Sequence, residues 1–325
     1  MVRFLSRSHI EQLVSIKDSV AIIEEFYRDY DDAKYVGPPR TVIHVDEKDA
    51  VWLNMPAYSL SVGGFVLKLI NEYRQNPARH GLEAAGGIIM YYDVETGVLI
   101  GMLDAVSVTA LRTGAIGGVG AKYLAPTDSR SAALIGSGRT AWTQLTALAT
   151  VRNIEKLRVY SPTRSHRETF AEKASKILGI DAVAVDSAKT AIEKADVVLT
   201  ATNAAEPVLN GGWLGENVHV TSIGALPTRR ELDVETFRRA NLIAADLKKA
   251  VLREAGDIMR AVEQGVVDPE KILELHYVVK NGVKRPSGKS MTILKSVGFA
   301  ALDLYFSAAV LRKAEKEKVG FEFDF

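Results

Sequence analysis

Ala133-Leu134-Ile135-Gly136-Ser137-Gly138-Arg139-Thr140-Ala141 limits what this chain can fold into more than any other stretch. An apolar run breaks on two glycines and passes directly into a helical pattern. The residues fit Gly-x-Gly-x-x-Ala between a strand and a helix. The first glycine permits a tight turn, the second lets a diphosphate approach the backbone, and the alanine allows helix to pack on strand. Free amides and the positive end of the helix dipole then favour an anion among Gly136, Ser137, Gly138, Arg139 and Thr140. A loop of this kind belongs at the head of a βαβ series, and the residues after Pro126 supply one. Strands are expected at 131–135, 156–160, 182–185, 197–201, 219–223, 242–245 and 291–294. Helices are expected at 139–151, 165–178 and about 187–194. Most of the strands are runs of Val, Ile, Leu and Ala, as in parallel strands buried on both faces.

The second strand of such a domain ends on an acid when the cofactor is NAD, because a carboxylate binds the ribose hydroxyls. Here it ends on Ser161-Pro162-Thr163-Arg164, with Arg167 one turn on. A carboxylate would repel a 2′-phosphate, whereas Ser161, Thr163 and Arg164 can bind one. NADPH is therefore the expected cofactor and NAD the alternative; solvated helix arginines are the competing reading of Arg164 and Arg167. Thr202-Asn203 and Ser296-Val297-Gly298 follow strands at the carboxyl edge, where such sheets bind ligands, and are expected around the nicotinamide. Thr202 and Asn203 read equally as turn residues.

Before residue 125 the grammar differs. Ser8 and Glu11 have capping-box spacing for a short helix near 10–14, and a second helix spans about 17–31, ended by Gly37-Pro38-Pro39. Short β segments follow at 40–45, 51–55, 65–70, 87–92 and 98–103, separated by turns that make neighbours antiparallel. Residues 107–123 return to helix, rich in the glycine and alanine that suit close packing. A long amphipathic helix over about 298–317 closes the chain. The fold class is α/β: a Rossmann-type, doubly wound parallel sheet plus a β-rich α+β domain.

Composition removes other chemistries. With Lys plus Arg at 41 against Asp plus Glu at 40, the 325-residue chain has no basic field to recruit nucleic acid. No cysteine is present, which excludes disulfides, thiolate catalysis and sulfur-ligated zinc, and the six histidines lack metal-site spacing. No metal, nucleic-acid or membrane partner is expected, and the chain reads as cytoplasmic.

Pro39-Arg40, Asn54-Met55-Pro56-Ala57, Gly64-x3-Lys68, Leu103-Asp104-Ala105 and Thr109-Ala110-Leu111-Arg112-Thr113-Gly114-Ala115 occur in that order. With the glycine loop, Ser222-Ile223-Gly224-Ala225, Glu254-Ala255-Gly256-Asp257 and Lys295-Ser296-Val297-Gly298, they resemble the ornithine cyclodeaminase/mu-crystallin family over nearly the full chain. The resemblance implies a homodimeric dinucleotide enzyme. Residues 1–122, joined by 299–325, would form the substrate-binding and dimerisation domain, and 123–298 the NAD(P)-binding domain. It also implies that Arg40 and Arg112 hold a substrate α-carboxylate, a sensible use of planar guanidinium groups. Lys68 would be catalytic, its pKa lowered by desolvation and by the two arginines. Ser222, Gly224 and Ala225 join the expected cofactor set.

Two departures bear on the reaction. Where ornithine cyclodeaminases and an archaeal alanine dehydrogenase relative place an aspartate after Gly-Ala, this chain has Gly224-Ala225-Leu226-Pro227. Leucine cannot orient a side-chain amine or water. At Leu82-Glu83-Ala84, where relatives often carry a hydroxyl or amide residue, Glu83 could face either the pocket or solvent. The expectation is an NAD(P)H-dependent oxidoreductase working at the α-carbon of a small amino acid or its imine. Δ1-Pyrroline-2-carboxylate or ketimine reduction fits Leu226 better than alanine dehydrogenation. Ornithine cyclodeaminase, a lyase with catalytic NAD, is the alternative. A non-catalytic binding protein is disfavoured by Arg40, Lys68 and Arg112.

Overall fold

Two serines open the chain's first helices. In the computed structural model, which describes residues 1–324, β1 (Val2–Leu5) leads to α1 (Arg7–Leu13). The Ser6 hydroxyl accepts the His9 amide, and His9 Nδ1 accepts the Ser6 amide at 3.3 Å. The capping pair is thus Ser6 and His9 rather than Ser8 and Glu11, because the helix must begin earlier to bury Ile10 and Leu13. Ser15 and Asp18 form a second reciprocal cap on α2 (Ile16–Asp29). That helix stops at Tyr30, which takes extended geometry well before Gly37-Pro38-Pro39. Tyr30 instead stacks on Tyr35 at 5.4 Å between ring centroids, and Phe26 packs edge-on against Tyr35.

A meander follows: β2 (Thr41–Val45), β3 (Ala50–Ser59), β4 (Gly64–Tyr73), the short α3 (Asn76–His80), β5 (Ala85–Asp93) and β6 (Leu99–Asp104). Each consecutive strand pair is antiparallel. The long α4 (Ala105–Leu124) comes next. Two compact units divide the chain within α4. The first holds Met1–Phe26, Tyr30–Arg112 and the segment from Phe299 onward; the second holds Tyr27–Asp29 and Thr113–Gly298.

The second unit is a parallel sheet with helices between its strands. In chain order it contains β7 (Ser131–Ile135), α5 (Arg139–Val151), β8 (Lys156–Tyr160), α6 (Arg164–Leu178), β9 (Asp181–Ala184), α7 (Ala188–Ile192), β10 (Val197–Thr200) and β11 (Val218–Ser222). Then come α8 (Val234–Arg238), β12 (Leu242–Ala245), α9 (Lys248–Glu254), α10 (Gly256–Glu263), β13 (Leu273–Glu274), α11 (Leu275–Lys280) and β14 (Met291–Lys295). The spatial order is β13-β12-β14-β11-β10-β7-β8-β9. Strand order reverses between β7 and β10, the point at which a doubly wound sheet opens a ligand crevice at its carboxyl edge. Every residue of β10, β11 and β14 is buried, so the polar residues that interrupt β11 and β14 have to find partners inside the sheet. His219 lies wholly inside, between the hydroxyls of Thr292 and Thr221, and burial pushes its pKa down to about 3. It is a neutral core residue. A Cβ on Gly114 of α4 would meet the Thr143 carbonyl oxygen of α5 at 2.5 Å, so the small residues of α4 serve close helix packing.

From Phe299 the chain returns to the first unit as α12 (Ala300–Glu317), laid across β3 and β4, and ends in β15 (Phe321–Phe323). The sheet order is β15-β1-β6-β5-β4-β3-β2. β1 runs parallel to β6 and antiparallel to β15. Neither β1 nor β15 is foreseen from sequence, because strands this short take their identity from the partner they extend. Alternation along β4 and β5 buries Val66, Lys68, Ile89 and Tyr91 while Phe65, Leu67, Leu69, Ile88, Met90 and Tyr92 stay half-buried on the other face. No helix among the described residues is long and apolar enough to cross a membrane.

Candidate active site

Lys68 stands in the middle of β4, where alternation turns its side chain inward, and it is 1% exposed. A lone ammonium buried this deeply would be costly without a counter-charge. Asp303, in the first turn of α12, supplies one: its Oδ2 lies 2.8 Å from Lys68 Nζ. The other oxygen, Oδ1, accepts Nε of Arg112 from α4 at 3.1 Å. Lys68 also donates to the Thr109 hydroxyl at 3.3 Å, one helical turn before Arg112. Because Asp303 takes Arg112 through Nε, the terminal pair of guanidinium nitrogens is not consumed by that bond. A planar pair of donors beside an ammonium is an arrangement that can grip a carboxylate.

Charge and burial compete at Lys68. Burial lowers its pKa, the Asp303 charge raises it, and the positive charges of Arg112 and Arg40 lower it again, leaving it at about 8. A group with that pKa is mostly protonated near neutrality yet parts with its proton readily, as a general acid must. Burial opposes ionisation of Asp303, but the charges and hydrogen bonds of Lys68 and Arg112 outweigh it and hold the carboxyl below its ordinary range. Arg40, half-buried just before β2, makes its positive charge felt at the lysine. With the charge of Arg40 acting on the lysine, the structure thus brings Lys68 and Arg112 together around an acid that sequence reasoning missed. Its signal was a single aspartate inside Ala300-Ala301-Leu302-Asp303-Leu304, where amphipathic spacing alone does not mark it. Glu83, by contrast, lies at the surface, paired with Arg7 at 2.5 Å.

In the second unit the glycine loop turns out of β7 into α5. Gly136 has φ +116°, and a Cβ there would come within 2.3 Å of the Ala201 carbonyl oxygen, so glycine is required. A Cβ on the exposed Gly138 would meet nothing within 4 Å, leaving open space over the loop. Helix α5 starts with no side-chain cap and no acid in its first turn. No side chain competes for the helix start as a cap, which suits the approach of a diphosphate. Arg139 is exposed and Thr140 half-buried. Ser137 donates to the Ser161 hydroxyl at 3.0 Å, tying the loop to the end of β8.

Beyond β8, Thr163 precedes α6 without capping it, and Arg164 is exposed and paired with Glu168 at 2.7 Å. Arg167 is not available to a ligand. It is buried, bonded to the Ser161 and Pro162 carbonyl oxygens and to Asp186. Further along the carboxyl edge, buried carboxylates hold the loops. Asp246 accepts the Ser296 hydroxyl at 2.8 Å and the Val297 and Gly298 amides at 3.1 and 2.7 Å. Glu231 accepts the Thr202, Ser222 and Gly224 groups after β10 and β11. Ala225 is half-buried and Asn203 exposed. Neither Asp246 nor Glu231 was foreseen, because nothing in their local sequence distinguishes a brace from a turn acid. Leu226 occupies the position of the absent aspartate, buried at φ +88° and bridged to Ala255.

These features fit a nicotinamide dinucleotide, and the chain's relatives agree. The family model for the ornithine cyclodeaminase/mu-crystallin family matches residues 2–318. The alanine dehydrogenase of Archaeoglobus fulgidus is 32% identical over 324 residues, covering 99% of this chain and 98% of its own. Among solved structures, the Δ1-pyrroline-2-carboxylate reductase of Thermococcus litoralis, in complex with NADH and L-proline, is 38% identical, with a TM-score of 0.94 over 99% of this chain and 100% of its own. An archaeal alanine dehydrogenase dimer with bound NAD is 30% identical, with a TM-score of 0.90 over 100% of this chain and 99% of its own.

Replacing Asp303 with asparagine removes a negative charge that raises the Lys68 pKa and one that offsets two buried cations. Lys68 in the variant should titrate below its present value of about 8, and the fold should lose about 3–5 kcal/mol, typical of a broken buried pair. Amine-modification rates against pH and urea unfolding measure the two effects. An unchanged titration would remove Asp303 from control of the lysine.

Proposed function

The chain belongs to the ornithine cyclodeaminase/mu-crystallin family, and from that premise we propose that it is a nicotinamide-dependent oxidoreductase acting at the α-carbon of an imino or amino acid. Δ1-Pyrroline-2-carboxylate is the preferred substrate. The observation that carries this reading is the buried cluster of Lys68, Arg112 and Asp303 beside Arg40. The guanidinium groups of Arg112 and Arg40 hold the substrate carboxylate and keep their charge in a dry setting. Lys68, kept protonated beside Asp303, delivers a proton to the substrate nitrogen. The bound dinucleotide supplies or removes the hydride at the adjacent carbon. Alignment of these groups, rather than any bond to the protein, is what the chain contributes.

Leu226 separates this reading from cyclodeamination. A lyase acting on ornithine has to orient a distal amine, and leucine offers it neither donor nor acceptor. The names of relatives at 32% and 38% identity, an alanine dehydrogenase and a Δ1-pyrroline-2-carboxylate reductase, support chemistry at the α-carbon. Ser161, Thr163 and Arg164 support a preference for NADPH, since no carboxylate ends β8. With Arg167 committed to the loop itself, Arg164 is the charge on which that preference rests. A homodimer is supported by the half-buried apolar face of β4 and β5 and by the dimer described for the archaeal alanine dehydrogenase.

Three measurements test these assignments. Δ1-Pyrroline-2-carboxylate should consume reduced cofactor one for one, and Lys68→Met should lower kcat by about two orders of magnitude or more with cofactor affinity intact. Turnover of ornithine with only catalytic NAD would replace the reductase by the lyase. Arg164→Glu should raise the KM for NADPH about tenfold and leave that for NADH nearly unchanged; tighter binding of NADH by the parent protein would end the NADPH preference. Sedimentation equilibrium should give twice the chain mass of 35.4 kDa, and a single-chain mass at micromolar concentration would overturn the dimer.

A further inference from the structure

Glu231 is fully buried in the second unit, and its carboxylate gathers six donors. Oε1 accepts the Thr202 amide at 2.6 Å and the Thr202 hydroxyl at 2.9 Å. Oε2 accepts the hydroxyls of Thr200 and Ser222, each at 2.8 Å, and the amides of Ile223 and Gly224 at 3.1 and 2.8 Å. These donors come from two places only: the end of β10 with its following loop, and the end of β11 with its following loop. A single side chain therefore fixes both loops from beneath. Gly224 is part of the fit, since a Cβ there would lie 2.9 Å from Glu231 Cγ.

The backbone of Glu231 and one of its donors are themselves held. The Glu231 amide donates to Asp257 Oδ2 at 3.2 Å, and Lys295 Nζ bridges that oxygen and the Ser222 hydroxyl, each at 2.8 Å. Lys295 ends β14, the neighbour of β11 on the side away from β10. The network thus runs from β14 through β11 to β10. These strands lie on one side of the reversal between β7 and β10, and the glycine loop leaves β7 on the other. In a doubly wound sheet the two halves bind the two mononucleotides of a dinucleotide. With the diphosphate at the glycine loop, the β10–β11–β14 half receives the nicotinamide mononucleotide.

We propose that Glu231 is a positioning residue for the nicotinamide half of the cofactor, acting through the loops at Thr202 and Gly224 that it holds in one arrangement. The inference rests on the nicotinamide-dependent reading of the chain. A buried charge that draws in amides from two loops leaves them little freedom to rearrange, so their outward surfaces are set before the ligand arrives. A brace needed only for folding would affect both halves of the cofactor alike.

ADP-ribose distinguishes the two roles, because it carries the adenosine and diphosphate but no nicotinamide ring. Calorimetric titration of the full chain should show Glu231→Gln weakening NADH binding about tenfold while ADP-ribose binding changes less than about twofold. Equal weakening of both ligands, or no weakening of either, overturns the proposal. Should Glu231→Gln fail to fold, Thr200→Val decides. It removes one donor at the strand end and leaves the carboxylate in place, with an expected loss of about threefold for NADH alone. Parent protein that binds neither ligand would instead sink the nicotinamide reading itself.

Discussion

A carboxylate at the start of the last long helix makes the interior of the first unit possible. Lys68 and Arg112 are both almost wholly removed from water, and two like charges in that position repel each other as well as losing hydration. Asp303 meets each with a different oxygen, so one negative charge serves two cations from two elements, β4 and α4. The arrangement leaves an excess of positive charge. Burial, with that excess adding to it, keeps the pKa of Lys68 low, and the excess is also what a substrate carboxylate would neutralise. The same imbalance that costs folding energy in the free protein would favour an anionic ligand.

The second unit repeats the device without the excess. Parallel strands end at one edge of the sheet, and their loops carry amides that no neighbouring strand satisfies. Glu231 and Asp246 satisfy them from inside: one collects the loops after β10 and β11, the other the loop after β14. Each loop is thereby pinned by charge-assisted hydrogen bonds, roughly twice as strong as neutral ones. Rigid loops at this edge suit a flexible cofactor that has to be held in one pose. The glycine loop is fixed differently, by sterics, because Gly136 lies too close to the Ala201 carbonyl for any other residue.

Most of the parallel sheet was legible in the sequence, with β7, α5, β8 and β12 matching their expected limits, while the two-residue β13 was not foreseen. Strands buried on both faces leave uninterrupted apolar runs, and those have few alternative readings. The meander of the first unit was legible too, through its turns. What escaped was whatever depends on distant partners. β1 and β15 are too short to carry their own pattern, and Ser6 displaced Ser8 as a cap because of which side chains α1 buries. Asp303, Glu231 and Asp246 escaped for the same reason. Such an acid becomes a keystone only when the fold brings donors to it, and spacing along the chain does not encode which groups the fold will gather. Arg164 and Arg167 show the converse. Similar in sequence, they separate in the structure into a surface residue and a buried tie.

Leu226 carries the argument one step beyond polarity. A branched side chain at φ +88° is a rare backbone state, and it costs of order 1–3 kcal/mol. Glycine or asparagine would adopt it more easily, so local preference does not select leucine here. The surroundings leave the backbone little choice: Leu226 is bridged to Ala255, and a Cβ on Gly256 would meet the Pro227 carbonyl oxygen at 2.1 Å. The turn is therefore set by close backbone packing, and the side chain it presents is a separate choice. A polar residue would have offered a hydrogen bond; leucine offers only apolar surface.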